Sequence, residues 1–141
     1  MNKTLRKHGS CLCKKVQAWI EAPSSLGACH CSMCRKWSGG LTFSVNCGTD
    51  VEFEGLEHVK VFDSSPWAQR AFCGSCGCNL YYRLQSNGHY YMMAGFFDDL
   101  EGFDFDHQIF IDHKPQLYSF REETKTMTQQ EVFESVSSSS S

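Results

Sequence analysis

The chain has 141 residues and a formal net charge of −3, from 13 basic against 16 acidic side chains. That length suits one domain, and a composition 41% hydrophobic and 21% charged excludes wholesale disorder. The missing basic field argues against a nucleic-acid partner, and no apolar stretch approaches the roughly 20 residues of a bilayer span; with the polar start MNKTLRKHGSC, the reading is a cytoplasmic chain.

In chain order, ten short runs read as strands: Thr4–Ser10, Val16–Glu21, Leu26–Cys31, Leu41–Asn46, Val51–Glu54, Val59–Asp63, Gln69–Cys73, Leu80–Leu84, Tyr90–Gly95 and Gln108–Ile111. Most are rich in Val, Phe, Tyr or Ile and bounded by Gly, Pro, Asn or Ser, the grammar of short β-strands. Met33–Ser38 reads as one short helix closed by Gly39–Gly40. Asn87–Gly88, between two aromatic-rich runs, signals a type I′ hairpin turn. Residues 122–141 have few apolar groups and end in serines, so they read as a polar tail, disordered or loosely docked, in which Val132, Phe133 and Val136 could form a short helix. The expectation is an all-β domain over residues 1–121, built of antiparallel sheets with one short helix.

Cysteine carries the chemistry. Nine is an odd number, and without a secretory leader these thiols fit metal better than a disulfide scaffold. In extended backbone, Cys11 and Cys13 would point to one side while Leu12 faces the core. Cys29-His30-Cys31-Ser32-Met33-Cys34 joins a C-x-C to a C-x-x-C, so a turn returns a third thiol to the same point. Cys73-Gly74-Ser75-Cys76-Gly77 is a compact knuckle whose glycines permit positive φ. Counting ligands gives one four-thiol zinc site from Cys11, Cys13, Cys73 and Cys76. It gives a second zinc on Cys29, Cys31 and Cys34 with one position open, the layout of a catalytic zinc. Spacing alone leaves that allocation open. Cys47 reads as a small buried hydrophobe, and Cys78 as a bystander of the knuckle. On a strand, His30 points away from its cysteine neighbours, toward a core or hydrogen-bonding role. Lys14, Arg35 and Lys36 flank the motifs, either as solvated surface charge or as cations that offset the thiolates and hold carboxylates of an anionic ligand.

These residues resemble a known family. Gly9-Ser10-Cys11-Leu12-Cys13, then Cys29 to Lys36, then Phe72-Cys73-Gly74-Ser75-Cys76-Gly77, follow the order of the glutathione-dependent formaldehyde-activating enzymes, a family that includes centromere protein V. Ala94-Gly95-Phe96-Phe97-Asp98-Asp99 looks like that family's glycine–aspartate turn. His107-Gln108-Ile109-Phe110 and Lys114-Pro115 look like its His-containing strand and the segment after it. The resemblance implies a β-tent fold with two zinc ions, Cys11, Cys13, Cys73 and Cys76 holding the structural one and Cys29, Cys31 and Cys34 the catalytic one. It implies a carbon–sulfur lyase that joins a small aldehyde, formaldehyde, to a glutathione-like thiol, giving S-hydroxymethylglutathione. The chain departs from the family where Cys78 replaces a Ser or Thr and where a tryptophan after Lys-Pro is missing, with Tyr118 nearby to fill its role. A rival reading is a non-catalytic zinc-stabilised binding module, in which Cys78, Cys47 or His30 would close the second site. A redox enzyme would need an accessible unligated thiol, for which only Cys47 and Cys78 remain.

Overall fold

The computed structural model describes residues 4–139. Alternation decides how its two sheets face each other. In β2 (Gln17–Pro23) the buried residues Ala18, Ile20 and Ala22 alternate with exposed Trp19, Glu21 and Pro23, so one face of the strand is apolar. β2 pairs antiparallel with β1 (Thr4–Ser10) and β5 (Val51–Glu54), making a three-stranded sheet. The remaining strands are β3 (Ser25–Cys29), β4 (Thr42–Asn46), β6 (Val59–Ser65), β7 (Ala68–Cys73), β8 (Asn79–Leu84), β9 (Tyr90–Met93), β10 (Asp104–Ile109) and β11 (Lys125–Met127). They form one eight-stranded sheet in the order β11-β10-β3-β4-β9-β8-β7-β6. The core lies between the sheets and includes Val16, Val45, Leu80 and Met92, each fully buried. Burial of each such side chain contributes about 1.5–3 kcal/mol.

The large sheet is mixed rather than antiparallel, because β10 runs parallel to both β3 and β11. The reason is a crossover. β9, β4 and β3 alternate in direction, so β9 and β3 point the same way. The chain leaves β9 through residues 94–103 and re-enters beside β3 in that shared direction, a connection no tight hairpin can make. On the way it is fastened to β1: Asp98 N–H donates to the His8 carbonyl, Lys7 Nζ to Asp99, and Gly9 bridges Phe97. A Cβ at Gly9 would collide with the Phe96 carbonyl, so this close approach requires glycine.

The helix expected near Met33 is α1 (Ser32–Ser38), ended by left-handed Gly39 at φ 80°. A second helix, α2 (Gln129–Ser139), joins it. The segment after Arg121 adds edge strand β11 and then α2, whose Phe133 ring meets Trp67 and Phe110 edge-on at 6.2 and 5.9 Å. The final two serines lie outside the described residues. The turn between β8 and β9 is longer than type I′. Gly88 is left-handed (φ 73°), Asn87 is not, and the Asn87 side chain instead accepts the His89 N–H at 2.9 Å.

Candidate metal centres

Two clusters of thiols form at opposite kinds of site. Cys11 and Cys13 leave the end of β1 on a tight turn, not on extended strand. Lys14 N–H donates to the Cys11 carbonyl, and Lys14 takes the left-handed conformation at φ 67°. Leu12 is therefore 83% exposed rather than core-facing. Cys73 ends β7, and its carbonyl accepts the Gly77 N–H at 2.8 Å, which folds Cys76 back beside it. The four sulfurs of Cys11, Cys13, Cys73 and Cys76 lie within 4.8 Å of one another. Two of their separations, Cys11–Cys13 and Cys13–Cys73, are 3.6 and 3.8 Å. Four sulfurs placed tetrahedrally about 2.3 Å from one ion stand about 3.8 Å apart, so the donor set fits zinc. All nine cysteines are free thiols. Burial works against ionisation of Cys76, but the amides of Cys13 and Cys78 and the neighbouring thiols outweigh it and bring Cys76 down to about 6.

Cys29, Cys31 and Cys34 form the second cluster, again with all sulfurs within 4.8 Å. β3 delivers Cys29, Cys31 is the N-cap of α1, and Cys34 sits inside the helix. The Cys31 sulfur accepts the Cys34 N–H at 3.3 Å, as a capping side chain does. Hydrogen bonds from Cys29 and Cys34, helped by that amide and by Arg70, push the Cys31 thiol down to about 2. The same crowding pushes Cys29 far up, first through Cys31, then Cys34 and burial. One thiolate is stable in this pocket; three require a cation, so this donor set suits a metal ion.

Arg70 was missed in the sequence. It is 4% exposed, with Nη2 3.3 Å from Cys34 Sγ, Nη1 2.8 Å from Ser64 Oγ, and its guanidinium over the rings of Trp37 and Tyr82. The available signal was a charged residue set among the alanines of a strand that leads into the Cys73 knuckle. Of the expected cations, Lys14 stands on the turn of the four-thiol cluster, while Arg35 and Lys36 ride on α1 with Cys34. Arg35 Nε donates to the His30 carbonyl at 2.9 Å.

His30 is fully buried on the face opposite Cys29. Gln108 Nε2 donates to Thr124 Oγ1, so Gln108 Oε1 accepts from His30 Nε2–H, and His30 Nδ1 accepts from the Tyr118 hydroxyl, both at 2.7 Å. Cys47 is buried, with its thiol turned to the Val45 carbonyl and pushed up to about 12 by burial. The Cys78 thiol is turned to the Asn79 carbonyl. Among the described residues, none of the three joins the second cluster.

No described helix is long and apolar enough to cross a membrane. The family model for the glutathione-dependent formaldehyde-activating enzyme matches residues 6–113. An uncharacterised lyase of Schizosaccharomyces pombe is 36% identical over 131 residues, covering 91% of this chain and 95% of that protein. A Halomonas elongata protein, provisionally named a glutathione-dependent formaldehyde-activating enzyme, is 31% identical over 84 residues, 52% of this chain and 53% of its own. A crystal structure of a Rhodobacter sphaeroides protein shares the fold, with a TM-score of 0.57 at 18% identity, covering 86% of this chain and 99% of the other.

Proposed function

The chain belongs to the glutathione-dependent formaldehyde-activating enzyme family, and from that premise we propose that it is a zinc-dependent carbon–sulfur lyase. Its substrates would be a small thiol of the glutathione kind and a small aldehyde such as formaldehyde, joined reversibly as a thiol–aldehyde adduct. The observation that carries the reading is an asymmetry between the clusters. Cys29 lines a cleft on the outer face of the large sheet, so the three-thiol group meets space where a substrate can lie. The four-thiol group instead ties two turns together.

Cys11, Cys13, Cys73 and Cys76 would hold a structural zinc, and Cys29, Cys31 and Cys34 a catalytic one. Zinc at the three-thiol group would supply positive charge that keeps thiols deprotonated near neutral pH and would take a fourth ligand from outside. The protein's own groups do the rest. The N-cap of α1 fixes the Cys31 sulfur, and the body of the helix fixes Cys34. Three thiolates and one zinc carry a net charge of roughly −1. Buried Arg70 opposes that charge at Cys34, and its bond to sulfur tempers how strongly that thiolate donates. Arg35 and Lys36, on the last turn of α1, would attract the carboxylates of the thiol substrate. A binding module would need the second group sealed, but His30, Cys47 and Cys78 are engaged elsewhere.

The test is Cys31→Ser, read by zinc per chain and by adduct formation from glutathione and formaldehyde above the buffer rate. The native protein should hold two zinc ions and accelerate the adduct; the variant should keep one ion and lose the acceleration. Unchanged zinc and unchanged turnover would refute the assignment.

A further inference from the structure

The cleft that reaches Cys29 holds a second set of polar groups which the scheme above does not use. Residues directly paired across strands share a face. His107 pairs with Gly27 and Ile109 with Cys29 on one side of β3; Gly27 pairs with Ser44 on the other. With Asn46 and Tyr91 they line a cavity of about 90 Å³. That is room for about three waters at roughly 30 Å³ each, enough for the reacting end of a small molecule and too little for a tripeptide.

His107 is held in a defined orientation here. Its ring lies on Gly27, where any Cβ would collide with the imidazole Nε2 edge. Nδ1 is 2.6 Å from Asp106 Oδ1, and Ser25 Oγ donates to the same oxygen at 2.6 Å. A carboxylate only accepts, so Nδ1 carries the hydrogen, and Nε2 has no hydrogen-bond partner among the described residues. The His107 side chain is 41% exposed, so it exchanges protons with solvent. Along the strand it stands two residues, about 7 Å, from the position opposite Cys29.

We propose that His107 is a catalytic residue of the lyase reaction, the proton-transfer group for the oxygen of a small aldehyde bound in this cavity. This inference rests on the lyase reading. In the forward direction the substrate thiolate sulfur bonds to the carbonyl carbon, and the C=O π pair moves onto oxygen. Nε2 first takes up a proton from solvent, which has received the one lost by the substrate thiol; it then gives that proton to the oxygen and returns to the Nδ1–H form. In reverse, Nε2 removes the hydroxyl proton, the carbonyl reforms, and the S–C bond breaks with its pair returning to sulfur. No oxidant or reductant is required. Asp106 is a positioning residue that holds the ring through Nδ1 and fixes which nitrogen faces the cavity.

The experiment compares native protein, His107→Gln and His107→Ala in zinc content, glutathione affinity by calorimetry, and kcat for adduct formation. His107→Gln should keep zinc and glutathione affinity within about twofold and lose kcat by about 10²–10⁴-fold. Added imidazole should restore at least part of the rate of His107→Ala. A His107→Gln kcat near native, beside an active native protein, would overturn the role of His107 and leave the lyase reading standing. Loss of zinc or glutathione binding in step with kcat, without imidazole rescue, would show a structural role and likewise overturn it. A native protein no faster than buffer would overturn both.

Discussion

Arg70 is the residue on which the electrostatics of the three-thiol group turn. A guanidinium that is almost wholly buried is costly unless its charge and its donors are matched. Here Cys34, Ser64 and two aromatic faces match most of it, while Nε has no hydrogen-bond partner among the described residues. Lysine would keep the charge but not the planar fork or the stacking. Arg70→Lys should therefore weaken zinc at this group by about 10–100-fold, as loss of a ligand's supporting hydrogen bond does. Competition with a chelator should show the four-thiol group unaffected. The His30 network makes a separate prediction at the same scale. Tyr118→Phe leaves buried Nδ1 without its donor and should cost about 1–3 kcal/mol in urea unfolding.

Among the elements, β1 is fastened to the crossover by His8, whose Nδ1 lies 2.7 Å from Asp98 and whose Nε2 lies 2.8 Å from Gln17. The Gln17 and Asp98 hydrogen bonds raise the His8 pKa above its ordinary value. The unfolded chain gives up this proton near pH 6.5, before the folded one does. The contribution to stability is thus complete below about pH 6.5 and is lost as pH rises through the higher folded value. Urea midpoints measured from acid to mildly alkaline pH should fall in this range, and His8→Gln should flatten the dependence. The C-terminal elements are a lighter attachment. Truncation after Arg121 removes β11 and the Phe133 contacts, and should cost about 1–3 kcal/mol while leaving zinc per chain unchanged. A truncated chain that cannot fold would show that the domain extends beyond residue 121.

For the whole molecule, the four-thiol cluster links the three-stranded sheet to the large one, joining the turn after β1 to the turn after β7. Metal held by both turns would be bound only in the folded chain, so its binding energy would add to folding. Cys76→Ser should lower stability by several kcal/mol, about as much as a strong chelator does. Cys31→Ser, whose cluster sits within β3 and the neighbouring α1, should abolish turnover with a far smaller loss. Thermal melts of the two variants side by side would separate the roles. Equal destabilisation by both would contradict the division into structural and catalytic sites.

Strand positions, the first helix, the Cys29–Cys34 triplet and each cysteine doublet were legible in the chain because they depend on contacts near in sequence: side-chain alternation, glycine stops and thiols two or three residues apart. The union of the two doublets across 60 residues rested on ligand count and family resemblance. The Cys11–Cys13 turn was misread locally, since a C-x-C spacing suits either extended chain or a turn, and only the bonds among residues 11–16 choose between them. Tertiary structure alone decided that β10 lies parallel to β3, because a crossover and a hairpin leave the same alternation in a strand. The same pairing sets His107 over Gly27 and beside the Cys29 position, and strand register across β7 and β8 brings Arg70 to Tyr82. Those neighbours are 36 to 82 residues apart where they touch Cys34 or Ser25. Distances of that kind are created by sheet pairing and close packing, and no local pattern of side chains encodes them.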